Sequence, residues 1–385
     1  MLILPFGLAS GYVSVTLGYL LGRAGVNAQQ VAALVAIYFI PQTWKFFWAP
    51  MADLTLTRKR WYVLSAALCA IGLFGFGVIP ATAASLPWLN TVAFGLSLAT
   101  TFLAMSVESL MAYGTADSER GRAGGWFQAG NLGGLGLGGG AGLWLAEHVA
   151  LSWVPAAVLG ALCLACCAAL LFLPEPTRLP RPASVAGSIA EVLRDLWSVV
   201  RSRGGFLALL ICFLPIGTGA AGNLWAAIAA DWRASANTVA LVTGVLSGVA
   251  SMAGCLAGGY LCDRMDRKRA YWLFGLAQAL CAVVMALSPR TEAMYVTFVT
   301  LYWFVTGFTY AAFSAVVLEA IGLGAAATKY NVFASLSNMP IAYMTLVDGW
   351  AHTRWGAGAM LAAEAGICLT AIAFFIAASA RADKR

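Results

Sequence analysis

Gly258-Gly259-Tyr260-Leu261-Cys262-Asp263-Arg264-Met265-Asp266-Arg267-Lys268-Arg269 is a short charged turn set between two apolar runs, 238–261 and 271–288. Each run is about 20 residues long, the length a helix needs to cross a bilayer core. The turn has a looser counterpart, Trp48-Ala49-Pro50-Met51-Ala52-Asp53-Leu54-Thr55-Leu56-Thr57-Arg58-Lys59-Arg60, whose Asp53 precedes Asp263 by 210 positions. Leu4-Pro5-Phe6-Gly7 recurs as Leu214-Pro215-Ile216-Gly217 at the same offset, Glu108 matches Glu319 at 211, and Asn131 matches Asn338 at 207. Several matches at nearly one offset predict two parallel repeats, an arrangement that places a binding site between them near the bilayer midplane. Pro215 lies about ten residues inside its run but Pro5 only five from the start, so the first span is expected either to begin upstream of Met1 or to begin unusually late.

Working outward from the two turns, the chain of 385 residues is 61% hydrophobic and 10% charged. Soluble domains have about a quarter of their residues charged. Spans are predicted at 1–22, 31–52, 61–80, 86–113, 123–146, 153–173, 206–230, 238–261, 271–288, 293–321, 330–350 and 356–380. The fold class is therefore all-α integral membrane, with 12 transmembrane helices in two six-helix pseudo-repeats. The expected units are an N-terminal bundle 1–173, a cytoplasmic linker 174–205 and a C-terminal bundle 206–385. The linker opens proline-rich. It then reads Ser188-Ile189-Ala190-Glu191, a capping-box pattern, and carries apolar residues at helical spacing, predicting an amphipathic helix on the membrane face.

Basic residues favour the cytoplasmic side of a membrane. With both termini inside, 18 of the 23 Lys and Arg fall on cytoplasmic segments, and only Arg23, Arg233, Arg290 and Arg354 on the other side. The net charge of +7 is thus explained by orientation and is no sign of nucleic-acid binding. Cys163, Cys166 and Cys167 form the one cysteine cluster, without a neighbouring histidine and without a four-ligand zinc spacing. They read as packing residues, and no metal or cofactor is expected.

The turn at Asp263, with Arg264, Arg267 and Arg269, closely resembles the major facilitator signature between helices two and three. The copy at Asp53, Arg58 and Arg60 is degenerate. It lacks the glycine, and Leu54 stands where the arginine would follow the aspartate. In the resemblance these seven residues form the gating motif, the aspartate pairing across the gap between halves. Tyr38-Phe39-Ile40-Pro41-Gln42-Thr43-Trp44-Lys45-Phe46-Phe47-Trp48-Ala49-Pro50 looks like span two of AmpG-type muropeptide permeases and their acetyl-coenzyme A transporter relatives. Siderophore importers of the rhizobactin and pyochelin type are similar there. Glu119-Arg120-Gly121, and Ala327-Thr328-Lys329-Tyr330 with Ala334-Ser335-Leu336-Ser337-Asn338-Met339-Pro340, resemble the same group. The resemblance implies a secondary transporter of the bacterial inner membrane, importing a bulky polar solute with protons, in contact with lipid and monomeric. Span five carries many glycines and lacks the Gly-Pro pair of drug antiporters, which argues against drug efflux.

An ionisable group inside a membrane helix costs ~2.5–3.5 kcal/mol on insertion scales and asks for a partner. Lys45 lies eight residues before Asp53, and Glu108 nine before Asp117. Matched depth and opposite charge predict that they pair. Glu108 and its repeat mate Glu319 are the candidates for proton coupling. Lys45, Tyr12, Gln42, Gln128, Asn131, Asn223, Asn338, Trp126 and Trp225 are the candidates for holding solute, the two tryptophans by stacking. Glu364 falls in a span that packs outside the cavity in the resembled fold. Asp231, Asp348, His148 and His352 read as lying near the outer ends.

An exporter or lipid translocase of the same fold remains an alternative, and would show an apolar cavity half. A membrane enzyme or sensor would need a catalytic cluster or a soluble domain. The sequence offers two histidines, no nucleophile elbow or metal cluster, and no loop long enough for a domain.

Overall fold

The computed structural model describes residues 1–114, 127, 130–173, 194, 197, 201, 203–262, 264–321 and 332–384. Every one of the twelve predicted segments is represented, and no strand occurs among the described residues. We number the helices α1 (Leu4–Arg23), α2 (Ala28–Leu54), α3 (Arg58–Val78), α4 (Leu86–Gly114), α5 (130–148) and α6 (Val154–Phe172). The remainder are α7 (Arg203–Ile211), α8 (Ala236–Cys262), α9 (Arg267–Leu287), α10 (Glu292–Ile321), α11 (332–355) and α12 (357–384). Gly356, at φ 80°, turns the chain between the last two helices. Of the linker, Arg194 and Trp197 are helical and the Arg201 guanidinium sits 5.2 Å from the Trp197 ring centre. The rest of the expected amphipathic helix lies outside the described residues.

The repeat is written into local chemistry. Thr57 caps α3 by accepting from the Arg60 amide at 3.3 Å, and Asp266 caps α9 by accepting from the Arg269 amide at 2.9 Å. The Tyr62 hydroxyl on α3 donates to the Leu2 carbonyl, and the Tyr271 hydroxyl on α9 donates to that of Ile216. An N-cap side chain is worth about 1 kcal/mol. Asp266→Ala should therefore lower the melting temperature of the purified protein modestly while leaving its membrane insertion unchanged.

One segment departs from expectation. The span predicted at 206–230 is helical only to Ile211, and then continues through 3₁₀ turns at Ala220–Asn223 and Ala229–Trp232. The cause is local: Pro215 has no amide hydrogen to give, and Gly217 (φ 60°) and Gly219 (φ 71°) take left-handed conformations that end a helix. Irregular backbone at membrane depth persists only where protein satisfies it. Here the Thr309 hydroxyl donates to the Gly217 carbonyl at 2.7 Å, and the Tyr295 hydroxyl to that of Trp225 at 2.9 Å.

Glycine sets how the helices meet. On α5, Gly134 and Gly138 interlock with Gly7 and Gly11 of α1, backbone on backbone, the small-residue packing common in membranes. Gly136 and Gly140 lie against Gly244 of α8 instead, joining the two repeats. At the expected outer end, Gly22 of α1 meets the Ala227 carbonyl, and Gly349 of α11 meets Ala28 and Ala32 of α2. The three helices α1, α5 and α8 each widen into a π-turn, at Tyr12–Leu17, Leu137–Ala141 and Ala240–Leu246. The Thr16 hydroxyl takes up the Gly138 carbonyl at 2.9 Å.

Candidate functional site

Tyr38, Gln42 and Lys45 share one face of α2, spaced by four and three residues as a helix requires. That face meets a row of polar side chains on α4. Ser97 donates to the Tyr38 carbonyl, and the Gln42 amide donates to the Thr100 hydroxyl at 2.8 Å. The Lys45 ammonium lies 3.1 Å from a Glu108 carboxylate oxygen, and the Trp48 indole N–H lies 3.1 Å from the Thr101 hydroxyl. The Lys45 and Glu108 side chains are 13% and 21% exposed. Two opposite charges at this depth offset each other's desolvation and leave oxygens and ammonium hydrogens free for a polar solute.

Other expected site residues lie on α5, the seventh segment and α11. Asn131 lies on α5, where its backbone carbonyl faces Gly7 of α1. Asn223 is buried in the broken seventh segment and donates to the Thr345 hydroxyl of α11 at 3.0 Å. The Asn338 amide turns back on its own helix, to the carbonyls of Ala334 and Ser335. Two of the expected solute contacts are buried by aromatic neighbours. Tyr12 is 2% exposed and stacked on Phe76 of α3, and Trp225 is 0% exposed, edge-on to Tyr302 and Trp232. Both rings pack against aromatic neighbours of their own bundle.

Glu319 lies within α10 and Asp53 within α2, but the side chains of both fall outside the described residues. Gln128, Trp126 and Asp263 lie outside them altogether. Of the basic gating residues, Arg58 and Arg267 begin α3 and α9, and Arg60 and Arg269 supply the capped amides. Arg264 lies with its guanidinium 3.9 Å from the Tyr260 ring centre. His148 stacks on Trp144 of its own helix, while His352 contacts Asp231 at 2.7 Å.

Asp348, expected near the outer end of its span, and Glu364, expected well inside its own, are both buried. Asp348 is 0% and Glu364 5% exposed, so both sit inside the C-terminal bundle. A signal for this exists in the sequence. Each is eight residues from Gly356, so both carboxylates lie about 12 Å from the turn on neighbouring helices, at ~1.5 Å rise per residue.

The family model described as Major Facilitator Superfamily matches residues 1–343. The chain belongs to the major facilitator superfamily. It is a multi-pass membrane transporter and not an enzyme. Among solved major facilitator structures it is similar to a mutant of the nucleoside transporter NupG, with TM-score 0.75 and 15% identity, covering 98% of this chain and 97% of that one. A bacterial homologue of the human lysosomal transporter Spinster aligns with TM-score 0.74 and 16% identity over 99% and 96% of the two chains. A D-xylose-proton symporter aligns with TM-score 0.71 and 14% identity over 97% and 95%. These likenesses concern the fold alone. In sequence, this major facilitator chain is 25% identical over 367 residues to the anhydromuropeptide permease of Escherichia coli (strain K12), covering 91% of this chain and 73% of the relative.

Proposed function

We propose that this transporter is a proton-coupled importer of a bulky polar solute of the muropeptide class, working in the bacterial inner membrane. The observation that carries the reading is the likeness to an anhydromuropeptide permease along nearly the whole chain. The Lys45–Glu108 pair fits it, because a peptide-bearing sugar brings both carboxylates for the ammonium and hydroxyls for the carboxylate. In this reading Lys45, Gln42, Gln128, Asn131, Asn223, Asn338 and Trp126 face or flank the solute path, Tyr12 and Trp225 hold its walls, and Glu108 and Glu319 answer to protons. The bundles 1–173 and 206–385 rock about the solute, joined by 174–205. Asp53, Arg58, Arg60, Asp263, Arg264, Arg267 and Arg269 latch their cytoplasmic ends. The protein acts as a monomer surrounded by lipid, with both termini in the cytoplasm.

A second reading, lipid or apolar-solute transport, is favoured by one observation. A recess beside the broken seventh segment is lined mainly by apolar side chains, among them Ile211, Leu214, Ile216, Phe313 and Ile341.

Thermal stabilisation separates the two. A ligand that binds only the folded state raises stability by RT ln(1 + [L]/Kd). Against a panel of an anhydromuropeptide, siderophores, acetyl-coenzyme A and phospholipids, the anhydromuropeptide is expected to raise the melting temperature, and Lys45→Ala to remove that rise. A rise with phospholipid alone would replace the first reading with the second.

A further inference from the structure

We infer that Asp348 and Glu364, with Tyr302 and Gln278, form a second proton-binding site, held wholly within the C-terminal bundle and apart from the Lys45–Glu108 pair. The inference rests on the proton-coupled reading above and assigns the coupling proton a place that neither the repeat symmetry nor the gating turns suggest.

The geometry brings four elements to one point. Glu364 of α12 accepts a hydrogen bond from the Tyr302 hydroxyl of α10 through one carboxylate oxygen. The Gln278 side chain of α9 lies against the same hydroxyl and gives its amide hydrogen to Thr306 at 3.0 Å. Asp348 of α11 is near enough for its charge and that of Glu364 to act on each other. The backbone N–H of Ala221, in the broken seventh segment, lies beside the Glu364 carboxylate.

The unpartnered atoms of the two carboxylates and the glutamine are all acceptors, while the indole N–H groups of Trp225 and Trp303, on rings against Tyr302, are also without an acceptor among the described residues. Both oxygens of Asp348, the second oxygen of Glu364 and the amide oxygen of Gln278 are buried and accept no hydrogen bond among the described residues. Gln278 is itself buried. No Lys, Arg or His pairs with either carboxylate among the described residues. Among the described residues the Glu364 charge also acts on the thiols of Cys281 of α9 and Cys368 of α12, neither of them a cation. From α2, the surface facing the neighbouring Gly349 is Ala28, Gln29 and Ala32, without charge. Buried acceptors without donors are costly, and native proteins almost always satisfy them. Two buried carboxylates whose charges act on each other, with no counter-ion among the described residues, favour holding a proton between them. One proton resolves the conflict: it neutralises one carboxylate and turns an acceptor into a donor for one of the empty oxygens.

The site is also connected to the irregular backbone of the seventh segment. Glu364 faces the Ala221 amide, and Asn223 two residues on is tied to Thr345, one helical turn before Asp348. A carboxylate attracts the Ala221 N–H more strongly than a neutral acid does. Binding a proton from water loosens that hold on the seventh segment. Returning the proton to water restores it. The protonation state is thereby passed to the backbone that lies between α10 and α11.

Two measurements on the full-length protein test this. The first is infrared difference spectroscopy between about pH 8 and about pH 5, a range spanning the ordinary carboxylate and histidine transitions. The wild type is expected to show a buried carboxylic-acid carbonyl band that shifts in heavy water. Glu364→Gln and Asp348→Asn should each remove or displace it, while both variants still elute as folded protein. The second uses proteoliposomes with a labelled anhydromuropeptide. Both variants should lose uptake driven by an inward-acid gradient and retain solute counterflow, which needs no net proton movement. The infrared arm requires no solute, so a band lost in both variants supports the site even if the anhydromuropeptide is not carried. A spectrum unaffected by either substitution overturns the proposal. So does variant uptake still driven by the pH gradient, or wild-type uptake driven by a sodium gradient and indifferent to pH.

Discussion

Lys45→Met is expected to abolish uptake and to lower thermal stability, whereas the double replacement Lys45→Met with Glu108→Met should regain stability without regaining uptake. The single change strands the Glu108 carboxylate, which is only 21% exposed and now lacks the ammonium 3.1 Å away. Removing one partner of a buried pair costs ~3–5 kcal/mol, and partial exposure places this pair near the lower figure. A loss of ~3 kcal/mol shifts the folded-to-unfolded ratio more than a hundredfold, a large part of the margin of most proteins. The double change removes both charges and leaves two apolar side chains of similar reach between α2 and α4. Melting curves with uptake in the same preparations decide the matter. Normal uptake by the double variant would show that the pair only holds the helices together.

The second large effect is expected at Gly138. A Cβ there would stand 2.0 Å from the Leu8 carbonyl oxygen, a contact with backbone that no rotamer can relieve. Overpacking a close-packed interior costs ~1–3 kcal/mol even where side chains can shift. Gly138→Val should therefore give no monodisperse folded protein in size-exclusion chromatography. At Gly133, five residues earlier on the same helix, a Cβ would have nothing within 4 Å, so Gly133→Val should be tolerated. Gly140→Ala meets the Ala240 carbonyl at 2.9 Å, across the join between repeats. It is expected to leave the fold intact and slow transport. Equal behaviour of the three variants would mean that the glycines of α5 are not read by position.

The membrane class, the twelve segments and the repeat are all legible in the chain, because helix length in a bilayer is fixed by thickness and the charged turns recur at one offset. Lys45 and Glu108 are matched by counting residues from Asp53 and Asp117. The same count from Gly356 matches Asp348 to Glu364, but a lone acidic residue near the end of a span reads as interfacial until the neighbouring helix is known. Trp225 and Tyr12 are less legible. Tyrosine and tryptophan suit both a solute wall and a bundle core, and only the packing of Phe76, Tyr302 and Trp232 around them decides which. The break in the seventh segment is signalled by Pro215, Gly217 and Gly219. Its extent depends on whether Thr309 and Tyr295 stand ready to satisfy the freed carbonyls, which is a tertiary fact.

Proton-driven import of a muropeptide-class solute is read out by uptake into proteoliposomes. A labelled anhydromuropeptide should accumulate above its outside concentration when the outside is made acidic, and a protonophore should collapse that accumulation. Equilibration without accumulation, or accumulation that the protonophore leaves untouched, would contradict it.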